Sequence, residues 1–310
     1  MKILVTGGAG FIGSNFVRIA IGSGHQVTVL DDLSVGDVRY LAGLPVRCVE
    51  GSILDETLVR AEVAVHDAVV HLAAQSGVPR SLDNPRGDCQ LNVIGTLNVL
   101  EGCRRARTGR NGPRFVFASS NAVLGRQTPP ATEQQAPLPI SPYGASKLAG
   151  EAYCLAYHGS WGMSTIALRF GNVYGPYSAH KKSAVAKFLG DIFTTGSITI
   201  DGDGLQTRDF VYVDDLCRAL LCAVQSPVEG EVFQIATGAE TSIYALSEMI
   251  QETVGRPIES RRAQARSGDA RRNFSSIAKA AAMLDWRPQV PLEEGLRLTY
   301  QWFLDWRSRD

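Results

Sequence analysis

Met1-Lys-Ile-Leu-Val-Thr-Gly-Gly-Ala-Gly-Phe-Ile-Gly13 opens the chain. Ile3 to Val5 form an apolar run of strand type, and a helical pattern starts at Phe11, continuing through Ile12 and Gly13. Between them stand Gly8-x-Gly10-x-x-Gly13, with Gly7 one place earlier. Glycines at this spacing allow a tight turn, let the backbone approach a pyrophosphate and bring helix against strand. The helix N-terminus then offers unpaired N–H groups and a positive dipole end to the anion. A second strand is expected over Gln26-Val-Thr-Val-Leu30, and Asp31 stands at its end, 18 residues past Gly13. A carboxylate there accepts hydrogen bonds from an adenosine ribose diol and repels a 2′-phosphate, which points to NAD rather than NADP.

The bulk of the chain limits what else it does. At 310 residues it has room for one large or two modest domains with a sizeable core. Hydrophobic residues make up 45% and charged residues 20%, ordinary globular values. Lys plus Arg and Asp plus Glu both number 31, so no global field draws in nucleic acid or a membrane surface. The six cysteines are scattered, with no C-x-x-C pair and no metal-ligand spacing, so reduced, mostly buried thiols and no metal are expected. No basic region followed by an apolar stretch marks a signal peptide, and no apolar run approaches the ~20 residues of a spanning helix. The expected location is the cytoplasm.

Strand and helix patterns alternate through the first half. Strands are expected at Val46–Glu50, Ala68–Leu72, Arg114–Ala118 and Ser164–Leu168, with helices at Asn92–Ala106 and Tyr143–Tyr157. Such alternation implies an α/β fold of Rossmann type, a doubly wound parallel sheet with right-handed crossovers. The texture changes after Arg169. Gly171 to Lys182 reads as loop, while Phe210–Val213 and Val232–Ile235 are candidates to return to the sheet edge. Helices are expected at Tyr244–Val254, Ser276–Leu284 and Leu292–Trp306. The division is therefore an NAD-binding domain over 1–168 and a smaller, mostly helical substrate-binding region over 169–310, with segments near 208–235 returning to the core. Six arginines between Arg256 and Arg272 are best explained as a solvated face.

Two patterns carry chemistry. Tyr143-Gly-Ala-Ser-Lys147 puts a phenol and an ammonium four residues apart on one helix face. Ser119-Ser120-Asn121 follows the strand ending at Ala118, at the sheet rim where ligands bind in such folds. A Tyr, a Lys and a hydroxyl beside a nicotinamide make a base for a secondary alcohol. An unperturbed Tyr titrates near ~10, and lowering that by ~3 units takes about 4 kcal/mol. An ammonium about 5 Å away supplies roughly 3 kcal/mol at an effective dielectric of ~20. The positive ring of oxidised NAD supplies the rest, so Lys147 is expected to acidify Tyr143.

With these residues in view, the chain resembles the extended short-chain dehydrogenase/reductases, and within them the nucleotide-sugar 4-epimerases of the UDP-glucose/UDP-galactose type. The resemblance covers nearly the whole chain. It rests on Val5–Gly13, Leu30–Ser34, His71–Gln75, Asn92–Thr96, Ser141–Lys147, Arg169–Pro176, Gly202–Phe210 and Leu284–Pro288. It implies that Tyr143 is the base, that Lys147 tunes it and holds the nicotinamide ribose, and that Ser120 hydrogen-bonds the reacting hydroxyl. Further cofactor contacts are implied at Asp32, Leu33, Ser34, Ser52, Ile53, Leu72, Ala73, Ala74, Gln75, Asn92 and Phe170, with Asn92 positioning the catalytic segment. Substrate contacts are implied at Asn121 and Asn172, with Arg208 and Arg266 clamping the diphosphate and Asp269 on the nucleotide ribose. A homodimer formed through the helices near 92–106 and 142–157 is the family's habit.

Two departures stand out. Gly51-Ser52-Ile53 replaces the usual Gly-Asp-Ile or Gly-Asp-Leu, and Leu124 stands where relatives carry a Tyr that shapes the sugar pocket. Among reactions on this scaffold, 4,6-dehydratases resemble one another in Thr-Asp-Glu at the strand end, and decarboxylases tend to carry Glu at the last of these positions. Here the positions are Ser120-Asn121-Ala122, without a carboxyl. C4 epimerisation of a UDP-hexose, plain or N-acetylated, is thus the expected reaction. UDP-glucuronate epimerase or decarboxylase, or another nucleotide-sugar oxidoreductase or dehydratase, is the alternative. A non-catalytic NAD sensor fits less well, because both Tyr143 and Lys147 are intact. His180-Lys181-Lys182 either meets a uronic carboxylate or, as preferred, faces water.

Overall fold

The apolar runs of the first half become strands because nearly all of them are shielded on both faces, as in the middle of a parallel sheet. They are β1 (Lys2–Thr6), β2 (Gln26–Asp31), β3 (Arg47–Glu50), β4 (Ala68–His71), β5 (Arg114–Ser120) and β6 (Thr165–Phe170). Only β3, at one edge, is largely exposed. The protein is described by a computed structural model over residues 1–107, 112–264 and 271–307. The strand Glu231–Ile235 pairs with β6 and completes a seven-stranded sheet, in the order Glu231–Ile235, β6, β5, β4, β1, β2, β3. Every neighbouring pair is parallel. The order reverses between β1 and β4, so the glycine turn after β1 lies at the crevice where doubly wound sheets bind ligands.

Phe210–Tyr212 does not return to the main sheet, contrary to expectation. It pairs in parallel with Asn172–Tyr174, a short strand inside the segment expected to be loop. Asp209 explains the placement. Its buried carboxylate accepts from the Thr237 N–H at 2.7 Å and the Gly238 N–H at 3.0 Å, and its carbonyl accepts from the Asn172 N–H at 2.9 Å. These bonds pin Phe210 beyond the end of the seventh strand. The helix expected from Ser276 is shorter, Ala278–Met283, and the one expected from Asn92 begins as a π-helical turn at Gln90–Ile94 before running on from Gly95 to Arg105. Cys103, Cys154 and Cys217 are buried while Cys48 and Cys89 are exposed, so fewer thiols are inside than expected. Among the described residues no helix is long and apolar enough to cross a membrane.

The helix Pro142–Trp161 starts and stops for local reasons. Ser141 caps it by accepting from the Gly144 N–H at 3.1 Å, Pro142 fills the first helical position, and Gly162 ends it with φ of 62°. Tyr143 and Lys147 therefore sit in its first two turns. Further along, Glu151 is buried against β5 and β6. It pairs with both the Nε (2.9 Å) and a terminal nitrogen (2.8 Å) of Arg169 and accepts from the Ser119 hydroxyl. Glu151→Ala would leave the Arg169 guanidinium buried without its partner, and a loss of about 3–5 kcal/mol of stability is expected. Urea denaturation measures it, and a loss below ~1 kcal/mol contradicts the assignment.

Candidate active site

The turn after β1 is closed by contacts that only glycine permits. Gly7 has φ of +70°, and a Cβ there would lie 2.7 Å from the Ala73 nitrogen. At Gly13 a Cβ would lie 2.2 Å from the Gly7 carbonyl oxygen, whereas at Gly10 it would meet only that oxygen, at 3.3 Å, and otherwise enter open groove. Gly8 does not face the groove as expected of the first fingerprint glycine. Its Cβ direction points 2.5 Å from a Val29 methyl carbon, so Gly8 packs turn against β2. The working spacing is Gly7, Gly10, Gly13. The first bond of the helix Phe11–Gly22 runs from the Ser14 N–H to the Gly10 carbonyl at 2.9 Å, which leaves the N–H groups of Phe11, Ile12 and Gly13 for a ligand.

One continuous groove brings together most of the expected cofactor residues. Gly7, Gly10, Phe11, Ile12, Gly13, Asp31, Asp32, Ser34, Ile53, Leu72, Ala73, Ala74, Tyr143, Lys147 and Phe170 line it. Asp31 accepts from the Ala9 N–H and the Leu33 N–H, each at 2.9 Å. Burial raises its pKa, and those backbone bonds oppose the rise. Asp32 holds Ser34 through the backbone N–H and the hydroxyl, at 3.0 and 2.6 Å. Leu33 takes a left-handed φ of 57° and packs against the core. The Ser52 hydroxyl accepts from the Leu54 N–H at 3.2 Å.

Asn92 stands behind the groove rather than on its wall. Fully buried, it accepts from the Gln75 N–H at 2.8 Å, and its two amide hydrogens are shared among the Gln75 carbonyl at 3.1 Å, Asp88 at 2.9 Å and the Ser146 hydroxyl at 3.2 Å. It thereby ties the segment after β4 to the helix turn that carries Lys147. Sequence reasoning passed over Asp88, although its spacing four residues before Asn92 is a helical one. This carboxylate is buried, its second oxygen has no hydrogen-bond partner, and it acts electrostatically on both Tyr143 and Lys147. Also missed were Val35 and Gly36, which line the groove, as does Ser119 at the sheet rim where its sequence position put it.

The electrostatics of the pair differ from expectation. Lys147 donates from Nζ to the Ala118 carbonyl at 2.9 Å, and burial lowers its pKa from 10.5 to about 8. Tyr143 is held above the ordinary phenol value, chiefly by desolvation, with a hydrogen bond from Ser120 pulling it down and Asp88 pushing it up. Desolvation thus outweighs the expected acidification by Lys147. The buried ammonium has a measurable signature. The unfolded chain keeps this proton up to about pH 10.5, the folded chain only to about 8, so the unfolded state binds more protons in between and stability rises with pH there. The stability advantage of Lys147→Met over the wild type is therefore expected to fall by about 2 kcal/mol between pH 7 and 10. A difference that stays constant with pH contradicts the burial of a charged Lys147.

The expected substrate residues are only partly gathered. Asn121 donates to the Ser275 hydroxyl at 3.0 Å, and its amide oxygen is buried without a partner. Asn172 and Arg208 lie in the paired strands beyond the sheet, where Arg208 donates to the Thr207 carbonyl at 2.6 Å. Arg266 and Asp269 lie outside the described residues. Arg271 and Arg272 form exposed ion pairs with Asp203 and Glu240, the solvated face expected of that cluster. His180 and Lys182 are exposed, in keeping with the preferred reading, but Lys181 is half-buried. It lines the groove together with His180. Among the described residues no group of three or more His, Cys, Asp or Glu side chains could hold a metal ion.

Residues 3–236 match the family described as the NAD dependent epimerase/dehydratase family. The chain belongs to this family. It is similar to the UDP-glucose 4-epimerase of Mycolicibacterium smegmatis, 37% identical over 313 residues and 98% of each chain. It is also similar to the dTDP-glucose 4,6-dehydratase of Streptomyces niveus, 36% identical over 99% of this chain and 94% of the other. Among solved structures, the UDP-glucose 4-epimerase of Thermotoga maritima with UDP-glucose superposes with a TM-score of 0.92, at 37% identity, over 99% of this chain and 100% of that one. The cofactor is therefore NAD, and the groove fits it. Gly10 leaves a cradle that a Cβ would fill, the free N–H groups of Phe11, Ile12 and Gly13 suit a pyrophosphate, and the Asp31 carboxylate suits a ribose diol.

Proposed function

We propose that this protein is an NAD-dependent 4-epimerase of a UDP-hexose, glucose/galactose or their N-acetyl forms, working through a transient 4-keto sugar. The observation that carries this reading is the end of β5. The Ser120 hydroxyl stands near enough to Tyr143 to draw its pKa down, and the residues that follow are Asn121 and Ala122, neither of which can carry a proton. NAD, when bound, supplies the acceptor and later the donor of the C4 hydrogen. Tyr143, as the phenolate, takes the proton of the C4 hydroxyl on its oxygen, Ser120 orients that hydroxyl, and Lys147 holds positive charge near the pair. The unpartnered amide oxygen of Asn121 suits a sugar hydroxyl. Asn172, Arg208, Arg266 and Asp269 are assigned to the nucleotide end.

A 4,6-dehydratase must also remove a proton at C5 and protonate the leaving hydroxyl at C6. Asn121 and Ala122 supply neither group, whereas epimerisation requires only that the keto sugar turn over before its hydrogen returns. The experiment is incubation with UDP-glucose and UDP-N-acetylglucosamine. Formation of the galacto epimer without net NADH supports the proposal. A 4-keto-6-deoxy product, or NADH accumulating with an oxidised sugar, refutes it.

A further inference from the structure

The segment that follows Tyr174 runs from the helix after the glycine turn to the cofactor groove, which His180 and Lys181 line. At one end, the Asn15 side-chain amide, on the helix that follows the glycine turn, donates to the Pro176 carbonyl at 3.1 Å. The Arg18 guanidinium lies 5.0 Å over the Tyr177 ring, which also packs against Tyr40 and Trp302 with ring centroids 5.0 and 5.3 Å apart. At the other end, Lys181 donates from Nζ to the hydroxyl of Ser76, which follows β4 and also lines the groove, at 2.9 Å. The span between is internally braced. The Ser178 hydroxyl donates to the Gly175 carbonyl at 2.6 Å, and the Lys181 N–H donates to the Ser178 carbonyl at 2.8 Å. Tyr177 has a left-handed φ of 68°, which a non-glycine residue adopts only when its surroundings hold it there.

Lys181 is a cation with a neutral partner. Its hydrogen bond goes to a hydroxyl, Arg80 is the nearby charge that acts on it, and among the described residues it has no carboxylate partner. The same groove carries Gly10, Phe11 and Ile12, whose backbone also favours an anion. One cation and a helix N-terminus line the same groove, so an anion between them is stabilised by both.

We propose that residues 176–181 form a strap over bound NAD, and that the Lys181 ammonium closes on the pyrophosphate from the side opposite the helix N-terminus. A cofactor gripped in this way stays in place while its hydrogen is on loan, whichever sugar reaction follows. The inference therefore does not depend on the epimerase assignment.

The test measures binding rather than turnover. Affinities of the folded protein for NAD, ADP-ribose and adenosine are compared by calorimetry and competition in wild type, Lys181→Gln and Lys181→Arg. Lys181→Gln is expected to weaken NAD and ADP-ribose about 10- to 100-fold, the range for losing a charge-assisted hydrogen bond. Adenosine, which has no phosphate, is expected to bind as before, and Lys181→Arg to stay close to wild type. NAD affinity unchanged in Lys181→Gln overturns the proposal, and so does an equal loss for adenosine, which would mean that Lys181 only props up the wall. If Lys181→Gln does not fold, Lys181→Arg still decides, since a strap held by charge tolerates it and one held by shape does not.

Discussion

Tyr143→Phe is expected to lower turnover by roughly a hundred- to ten-thousandfold while leaving the fold and NAD binding intact. Only an oxygen is removed, and the glycine turn, Asp31 and the walls at Leu72–Ala74 keep their contacts. The size of the effect follows from where the phenol stands. Desolvation holds it above its ordinary value, so the protein alone populates little phenolate at neutral pH. The nearby Ser120 hydroxyl, the Lys147 ammonium and the positive ring of oxidised NAD are the forces left to draw the proton off, and without this oxygen they have no proton to move. Turnover of UDP-glucose, alongside the cofactor content of the purified variant, measures both halves of the prediction. Near-normal turnover would remove Tyr143 from the role of base.

Gly13→Ala is expected to weaken NAD by about a hundredfold. The new Cβ would fall 2.2 Å from the Gly7 oxygen and 2.6 Å from the Gly8 Cα, and both neighbours are backbone that no rotamer can move. Relief requires the helix Phe11–Gly22 to back away from the turn, which pulls its free N–H groups off the pyrophosphate. Overpacking of this kind costs roughly 1–3 kcal/mol, and each 1.4 kcal/mol is about tenfold in affinity. Calorimetric titration measures it. An affinity within threefold of wild type contradicts the geometry of the turn.

What the sequence disclosed followed the range of the interactions. The strand–glycine–helix opening, Asp31 at the end of β2 and the Tyr143/Lys147 spacing are local patterns, and they were legible because backbone periodicity and reach determine them. Why Gly7, rather than Gly8 beside it, works in the turn was not legible. That depends on how closely Ala73, 66 residues away in sequence, approaches Gly7. The partner of Phe210–Tyr212 was hidden for the same reason, since it is fixed by Asp209 bonding to Thr237 and Gly238. The phenol's environment was misjudged because a spacing of four residues reports a neighbouring charge but not the burial that opposes it. Lys181 looks like a solvent-facing lysine until its bond to Ser76, 105 residues earlier, sets it across the groove.

The sharpest test of the chemistry uses UDP-glucose carrying deuterium at C4. If Tyr143 and Lys147 serve an epimerase, the label leaves C4 and returns to it on the other face. UDP-galactose should then retain its deuterium at C4. Deuterium found at C6, where elimination would have created the acceptor, or lost to solvent, would contradict the proposed reaction.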